Sequence, residues 1–243
     1  MNPISFWRSF IDRLGKGPFV RDHGMRLLVD VFIDGFNLEF GAMRPAGLHW
    51  IDLRRLAERI TPRHYGTVGS VFLYTAPLLD RTGCVGVATR QDIWFRALSA
   101  TNAAQVVLGH HVRQLRSLPR AEPGGTEGSA VKVVQTIEKG SDVNLAVDLV
   151  DRAHRGRFHA AAVVWNDGDL RRAVELVSRG LSIPVLVVNP QPGRQSRGLA
   201  AAATDVRTVR PNDLVRSQLP ERIETATDVI HKPSAWWRPV REP

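Results

Sequence analysis

The sequence predicts an α/β fold in which a mostly parallel sheet is covered on both faces by helices. Three observations carry that expectation. Short apolar runs rich in Val, Ile, Leu and Ala recur between residues 27 and 188, and between them lie stretches whose apolar residues return every three or four positions. The two kinds of segment alternate, so successive strands are joined by helical crossovers and pair in parallel. The chain has 243 residues, 43% hydrophobic and 23% charged, enough to bury a sizeable core in one large domain or two small ones. That balance excludes disorder, collagen and coiled coil as descriptions of the whole chain.

Residues 1–24 place Phe6, Trp7, Phe10, Ile11 and Leu14 at helical spacing, with Arg8, Asp12 and Arg13 opposite, and read as an amphipathic N-terminal extension. Residues 27–33 form the first buried strand, apolar except for Asp30, whose carboxylate signals a sheet edge or a polar contact. A helix over 51–60 rests on Ile51, Leu53, Leu56, Ala57 and Ile60 and turns Arg54, Arg55 and Arg59 outward. A second strand at 71–75, a helix at 91–100 built on Ile93, Trp94, Ala97 and Leu98, and a third strand at 104–108 follow. Residues 114–130 are rich in Gly, Pro and Arg and read as a loop, and 131–137 as a short β-like run. A helix at 142–153, a strand at 160–165, a helix at 170–179, a strand at 183–188 and an edge strand at 206–209 complete the pattern. Residues 25–217 thus read as one domain. The stretch 218–243, with Pro220, Pro233, Pro239 and Pro243 and little periodicity, reads as a C-terminal tail bearing Trp236 and Trp237.

Lys and Arg total 33 against 24 Asp and Glu, a formal net charge of +9. Such a surplus favours polyanionic partners, nucleic acid first among them. The single cysteine, Cys84, can form no disulfide within the chain and no Cys-rich zinc site, so a reducing, cytoplasmic setting is expected. No apolar run approaches the ~20 residues of a membrane helix, and the N-terminus lacks the order of a secretory signal.

The acids stand at informative places. Asp34 directly follows the first strand; Asp167 and Asp169 follow the strand ending at Trp165; Asp142 opens the helix after Gly140 and Ser141. Ligands of open α/β sheets bind beyond the carboxyl ends of the strands, where the strand order reverses, so these acids are aimed at one crevice. Clustered carboxylates repel unless a cation neutralises them, and a hard divalent ion with oxygen ligands does so. Each acid also has a plainer reading. Asp34 before Gly35 suits a turn, Asn37 a helix cap, and Asp142 and Asp169 the first turns of helices. Asp142 precedes the apolar stripe Leu145, Ala146 and Leu149 and is expected to point inward; Asp148 lies about 120° further round the same helix.

The runs Phe32-Ile33-Asp34-Gly35-Phe36-Asn37-Leu38, Glu138-Lys139-Gly140-Ser141-Asp142-Val143 and Asp167-Gly168-Asp169-Leu170 resemble the NYN domain family, PIN-like ribonuclease domains of the LabA/DUF88 group, over residues 26–210. The resemblance implies a PIN-like three-layer α/β/α sandwich and a metal-dependent ribonuclease, hydrolysing RNA with a metal-activated water. It implies Mg²⁺ or Mn²⁺ held by Asp34, Asp142, Asp167 and Asp169, which form the catalytic set, with Asn37 orienting water or phosphate and Asp148 and Lys139 supporting them. Two residues depart from the family pattern. Trp165 and Asn166 stand before the paired acids where the family has small residues, and the tryptophan is expected to narrow the cleft. Arg113, Arg116 and Arg120 are candidate RNA contacts, and His110 and His111 are expected near the cleft but outside catalysis. RNA is the expected partner, a second copy of the chain is left open, and no membrane span is expected. The alternative function is an RNA-binding or scaffold protein that keeps the fold with little or no turnover. Phe36, where a haloacid-dehalogenase-type phosphatase needs its second acid, excludes that class, and no P-loop motif is present.

Overall fold

The computed structural model describes residues 27–80, 85–121 and 127–237. The amphipathic pattern at 1–24 and Cys84 lie outside the described residues.

Six parallel strands form the central sheet: β1 (Leu28–Asp34), β2 (Thr67–Thr75), β3 (Gln105–Leu108), β6 (Ala160–Val164), β7 (Val185–Asn189) and β8 (Asp205–Thr208). Their spatial order is β3-β2-β1-β6-β7-β8. The chain therefore builds outward from β1 in one direction, returns, and builds outward from β6 in the other. The reversal falls between β1 and β6, where Ile33 sits opposite Val164.

Period-two alternation distributes the sheet residues between two cores. Val29, Val31 and Ile33 of β1 join Val71, Leu73, Ala162, Val164, Leu186 and Val188 on one face. That face is covered by α1, a helical run of Gly35–Leu38, a π turn Glu39–Met43 and Arg44–Ala46, together with α2 (Leu53–Ile60) and α3 (Val87–Ala100). Phe32, Phe72, Tyr74, Val163 and Val187 point to the other face. It is covered by α4 (Ser141–His154), by α5 (a 3₁₀ turn Gly168–Leu170, then Arg171–Glu175 and a π turn Leu176–Gly180) and by α6 (Arg197–Ala202). The architecture is the expected three-layer α/β/α sandwich. Leu145, Leu149 and Ala153 of α4 are buried on one stripe, and Leu53, Leu56, Ala57 and Ile60 on that of α2.

Asp30 marks a polar contact and not an edge. It lies on a central strand, 2% exposed, and Oδ2 accepts from Arg152 Nη2 at 2.6 Å and Nε at 3.0 Å, while Oδ1 accepts from the Ser70 amide at 2.8 Å. The Arg152 guanidinium lies 4.5 Å above the Phe72 ring, so both its charge and its flat face are used.

The segment expected as a loop differs most. β4 (His110–Ala121) and β5 (Glu127–Lys139) form a long antiparallel two-stranded sheet, in register from His110 opposite Lys139 to Pro119 opposite Ala130. Arg113, Arg116 and Arg120 lie on β4 rather than bordering a loop. Gly, Pro and Arg give the stretch an irregular composition, but each strand of a two-stranded sheet is an edge. Pro119 therefore needs no donor on its outward side, and the pairing comes from Val131, Val133, Val134 and Ile137 across the ribbon. In the region after 217, β9 (Arg222–Glu224) and β10 (Val229–His231) form a small hairpin. It buries Ile223 and Ile230, and Trp236 packs on the core beside Trp50.

Candidate active site

β1 ends at Asp34, which is 2% exposed and on the α4 face of the sheet. The carboxylate is at once the N-cap of α1 and accepts from both the backbone amide and the side chain of Asn37. Gly35 follows because space is short: a Cβ there would stand 2.9 Å from Thr75 Cβ. Burial pushes Asp34 up to about 7 against the pull of the Asn37 hydrogen bonds, and the charges of Asp142 and Glu138 add to the rise.

Asp142 occupies the first turn of α4, after Gly140. It does not point inward: the buried stripe runs through Ser141, Leu145, Leu149 and Ala153, and Asp142, one step round, is open to solvent. Partial desolvation raises its carboxyl, followed by repulsion from Glu138, Asp169 and Asp167. Asp142 thus stands between the β1 acid and the two acids after β6.

Glu138 joins this group although the sequence reading does not single it out; it stands four residues before Asp142. Its Oε1 accepts from the Ser141 hydroxyl at 2.7 Å and from the Ser141 amide at 3.1 Å, which ties the end of β5 to the start of α4. The crossing is tight. A Cβ at Gly109 would stand 2.6 Å from the Lys139 carbonyl and 2.7 Å from Glu138 Oε1, so the position accepts only glycine without displacing backbone.

Asp167 and Asp169 are both exposed at the start of α5. Trp165 does not narrow the cleft. It is 2% exposed in the α4–α5 core and donates from Nε1 to the Asp167 carbonyl at 2.8 Å. Asn166 Nδ2 donates to the Arg194 carbonyl at 2.7 Å, and its Oδ1 accepts from the Ser196 amide at 3.1 Å. The two unusual residues anchor the loop that carries the acids.

The other expected residues are placed elsewhere. Asp148 Oδ2 accepts from the Tyr74 hydroxyl at 2.9 Å, joining α4 to β2, and it is not among the charges felt by Asp34 or Asp142. Burial and that hydrogen bond raise the Tyr74 hydroxyl above its ordinary range. Lys139 is exposed, opposite His110, on the face of the ribbon away from Glu138. Arg113 shares a ribbon face with His111 and Glu138, and Arg116 lies on the other.

Among the described residues, no three His, Cys, Asp or Glu side chains are gathered closely enough to hold a metal ion. Asp34, Asp142, Asp167 and Asp169 are linked by electrostatic repulsion and not assembled as a cage. The donors are all carboxylate oxygens, the type that suits Mg²⁺ or Mn²⁺.

On the α1 side of the same strand ends lies a cavity of about 600 Å³, bounded by Gly35, Phe36, Phe40, Thr75, Trp94 and Trp236.

The NYN domain profile matches residues 28–210, the segment that contains the whole sheet and all five acids. The chain belongs to the NYN domain family. This is a nuclease-like family, and NYN domains are related to RNA and to divalent metals. Among curated proteins the chain is similar to the 6-hydroxy-3-succinoylpyridine 3-monooxygenase HspA of Pseudomonas putida, 24% identical over 238 residues, spanning 85% of this chain and 74% of the relative. Among solved structures it is similar in fold to a Vibrio parahaemolyticus protein described as of unknown function. That likeness has a TM-score of 0.51 at 15% identity and covers 79% of this chain and 98% of the other. No helix among the described residues is long and apolar enough to cross a membrane.

Proposed function

We propose that this NYN domain is a metal-dependent ribonuclease. The observation that carries the reading is the pair Asp34 and Asp142 at the reversal point of the sheet, each raised above its ordinary range first by burial and then by neighbouring acids, Glu138 for both and Asp167 and Asp169 for Asp142. Acids placed so as to oppose their own ionisation mark a site built around a cation or a proton. Mg²⁺ or Mn²⁺ would be held by Asp34 and Asp142, keeping several waters through which Asp167, Asp169 and Glu138 would act. When bound, it would lower the pKa of a water and offset charge developing on a phosphoryl oxygen.

The chain's own residues supply the rest. Asn37 holds the Asp34 carboxylate in place by two hydrogen bonds. Ser141 does the same for Glu138. The exposed pair Asp167 and Asp169 stands on a loop whose base is held by Trp165 and Asn166. Arg113, on the ribbon face of Glu138, would meet the phosphates of the strand at the acids, and Arg116 and Arg120 would add to the attraction of the ribbon for RNA without sequence preference. Water adds to phosphorus and the bond to one ester oxygen breaks.

The test is degradation of single-stranded RNA in Mn²⁺ and in EDTA, with Asp34→Asn and Asp142→Asn. Cleavage that needs Mn²⁺ and falls at least a hundredfold in both variants is expected. RNA bound but not cut under every condition would replace this reading with that of a binding protein without turnover. A second reading is favoured by the aromatic cavity beside Asp34: oxygenation of a hydroxylated pyridine, the chemistry that names the Pseudomonas relative. Oxygen consumption on adding such a pyridine together with a two-electron reductant such as NADH, which must reduce the second oxygen atom to water, tests it.

A further inference from the structure

The cavity and the acids share a border. Gly35, in the cavity wall, follows Asp34 directly, and His111, also in the wall, sits across the ribbon from Glu138. None of these acids lines the cavity, but its wall lies one residue from Asp34 and one ladder pair from Glu138, so a strand crossing the acids at the sheet end passes its mouth. The wall is aromatic and partly open: Phe36 and Phe40 stack with centroids 6.4 Å apart and 12° between planes, and Phe40 keeps 55% of its surface exposed. Opposite, His49 and Trp236 stack at 5.6 Å. Rings grouped in this way and left partly open to solvent mark a binding groove more than singly scattered apolar residues do.

The cavity also carries charge. The Arg44 guanidinium lies 5.7 Å from the Phe40 centroid, and Arg90 lines the same wall, so two cations flank the rings. Glu39 pairs with His49 Nδ1 at 3.1 Å and adds a carboxylate to the same wall. The combination selects a planar heteroaromatic ring, able to donate a hydrogen bond and tethered to an anion. At about 600 Å³ the space suits a ligand of nucleotide size, and a stacked duplex could not enter it.

We propose that this cavity seats one unstacked nucleobase of the RNA strand, next to the phosphate facing Asp34 and Glu138. The inference rests on the ribonuclease reading and names how its substrate is held. Bases splayed from a single strand and stacked on aromatic side chains are the usual object of RNA recognition, and cations on the rim suit the flanking phosphates.

The experiment uses the full chain in EDTA, so that binding is read without cleavage, and a single-stranded RNA carrying one central 2-aminopurine. At saturating protein the fluorescence of the probe is expected to change on stacking. Phe40→Ala should abolish that change and raise Kd about 5- to 150-fold, while Phe40→Trp should restore both. In Mn²⁺, Phe40→Ala should raise KM with kcat nearly unchanged. Equal urea midpoints for wild type and variant confirm that the fold is intact. RNA bound by Phe40→Ala with the wild-type Kd and the wild-type fluorescence change would overturn the base seat and leave the ribonuclease reading standing. A Phe40-dependent signal with no cleavage in Mn²⁺ would do the reverse. Nicotinate tests the other source of the same ring chemistry: Phe40-dependent binding of nicotinate by a protein that binds no RNA would also overturn the proposal.

Discussion

The Asp34 carboxyl offers a quantitative test. In an unfolded chain it ionises at its ordinary value of 3.8, while in the folded protein burial holds the proton to about 7. Between those values the folded chain binds a proton that the unfolded chain has lost, so stability falls as pH rises through the window. Below about pH 4 both states are protonated and the group is neutral in effect; above about 7 the full penalty stands. A gap of about three pH units, at about 1.36 kcal/mol each, is worth about 4 kcal/mol. Asp34→Asn keeps an acceptor for the Asn37 amide and removes the titration. Urea unfolding of both proteins from pH 4 to 8, without divalent ions, should show curves that meet near pH 4 and diverge by several kcal/mol at pH 8, the variant being the more stable. Adding Mn²⁺ at pH 8 should stabilise the wild type more than the variant. A difference that stays constant across the whole pH range would refute the claim that Asp34 is held protonated by its surroundings.

Three further outcomes are expected. Arg152→Ala strands the Asp30 carboxylate, 2% exposed, without its partner, and should cost about 3–5 kcal/mol in urea unfolding, part of it recovered by adding Asp30→Asn. Tyr74→Phe removes the hydroxyl that Asp148 accepts and should cost about 1 kcal/mol while leaving RNA cleavage unchanged; a tenfold fall in kcat would place Asp148 in the site. Replacing Arg113, Arg116 and Arg120 by Ala should weaken RNA binding and reduce the slope of log K against log salt by about 2, at roughly 0.7 for each single-strand phosphate that is no longer neutralised. An unchanged slope would detach the ribbon from RNA.

The inner strands of the central sheet are legible in the sequence because their centres are apolar runs covered on both faces by helices, whereas the edge strands Gln105–Leu108 and Asp205–Thr208 are largely exposed. Val185–Asn189 and Ala160–Val164 have every residue buried, and no other environment accommodates such runs. Of the ribbon only residues 131–137, within β5, are legible as a β-like run; β4 is not. Its residues are mostly exposed, so no burial pattern distinguishes Arg113, Leu115 and Ser117 from a loop, and only the opposing strand makes them one. Glu138 is hidden for a related reason. It opens the Glu138–Val143 motif, but the strand it ends is not legible to its end, and its role rests on Ser141 and Asp142 lying within reach after a turn at Gly140. The spacing of Asp142 to Leu145, Ala146 and Leu149 points it to the buried face, yet the true stripe starts one residue earlier, at Ser141. A step of one residue turns a helix side chain by about 100°.

Alone, the order of residues determined the layering of the domain, the strands that end in Asp34 and in the loop of Asp167, and the family to which those motifs belong. All of these are local, since periodicity and motif spacing are properties of neighbouring residues. Tertiary structure alone decided that Asp148 is engaged with Tyr74, that Trp165 anchors a loop from inside the core, and that an aromatic cavity opens one residue from the buried acid. Each of these depends on which distant segments approach within a few ångströms, and pairwise distance across a folded sheet is not encoded in any single stretch of chain.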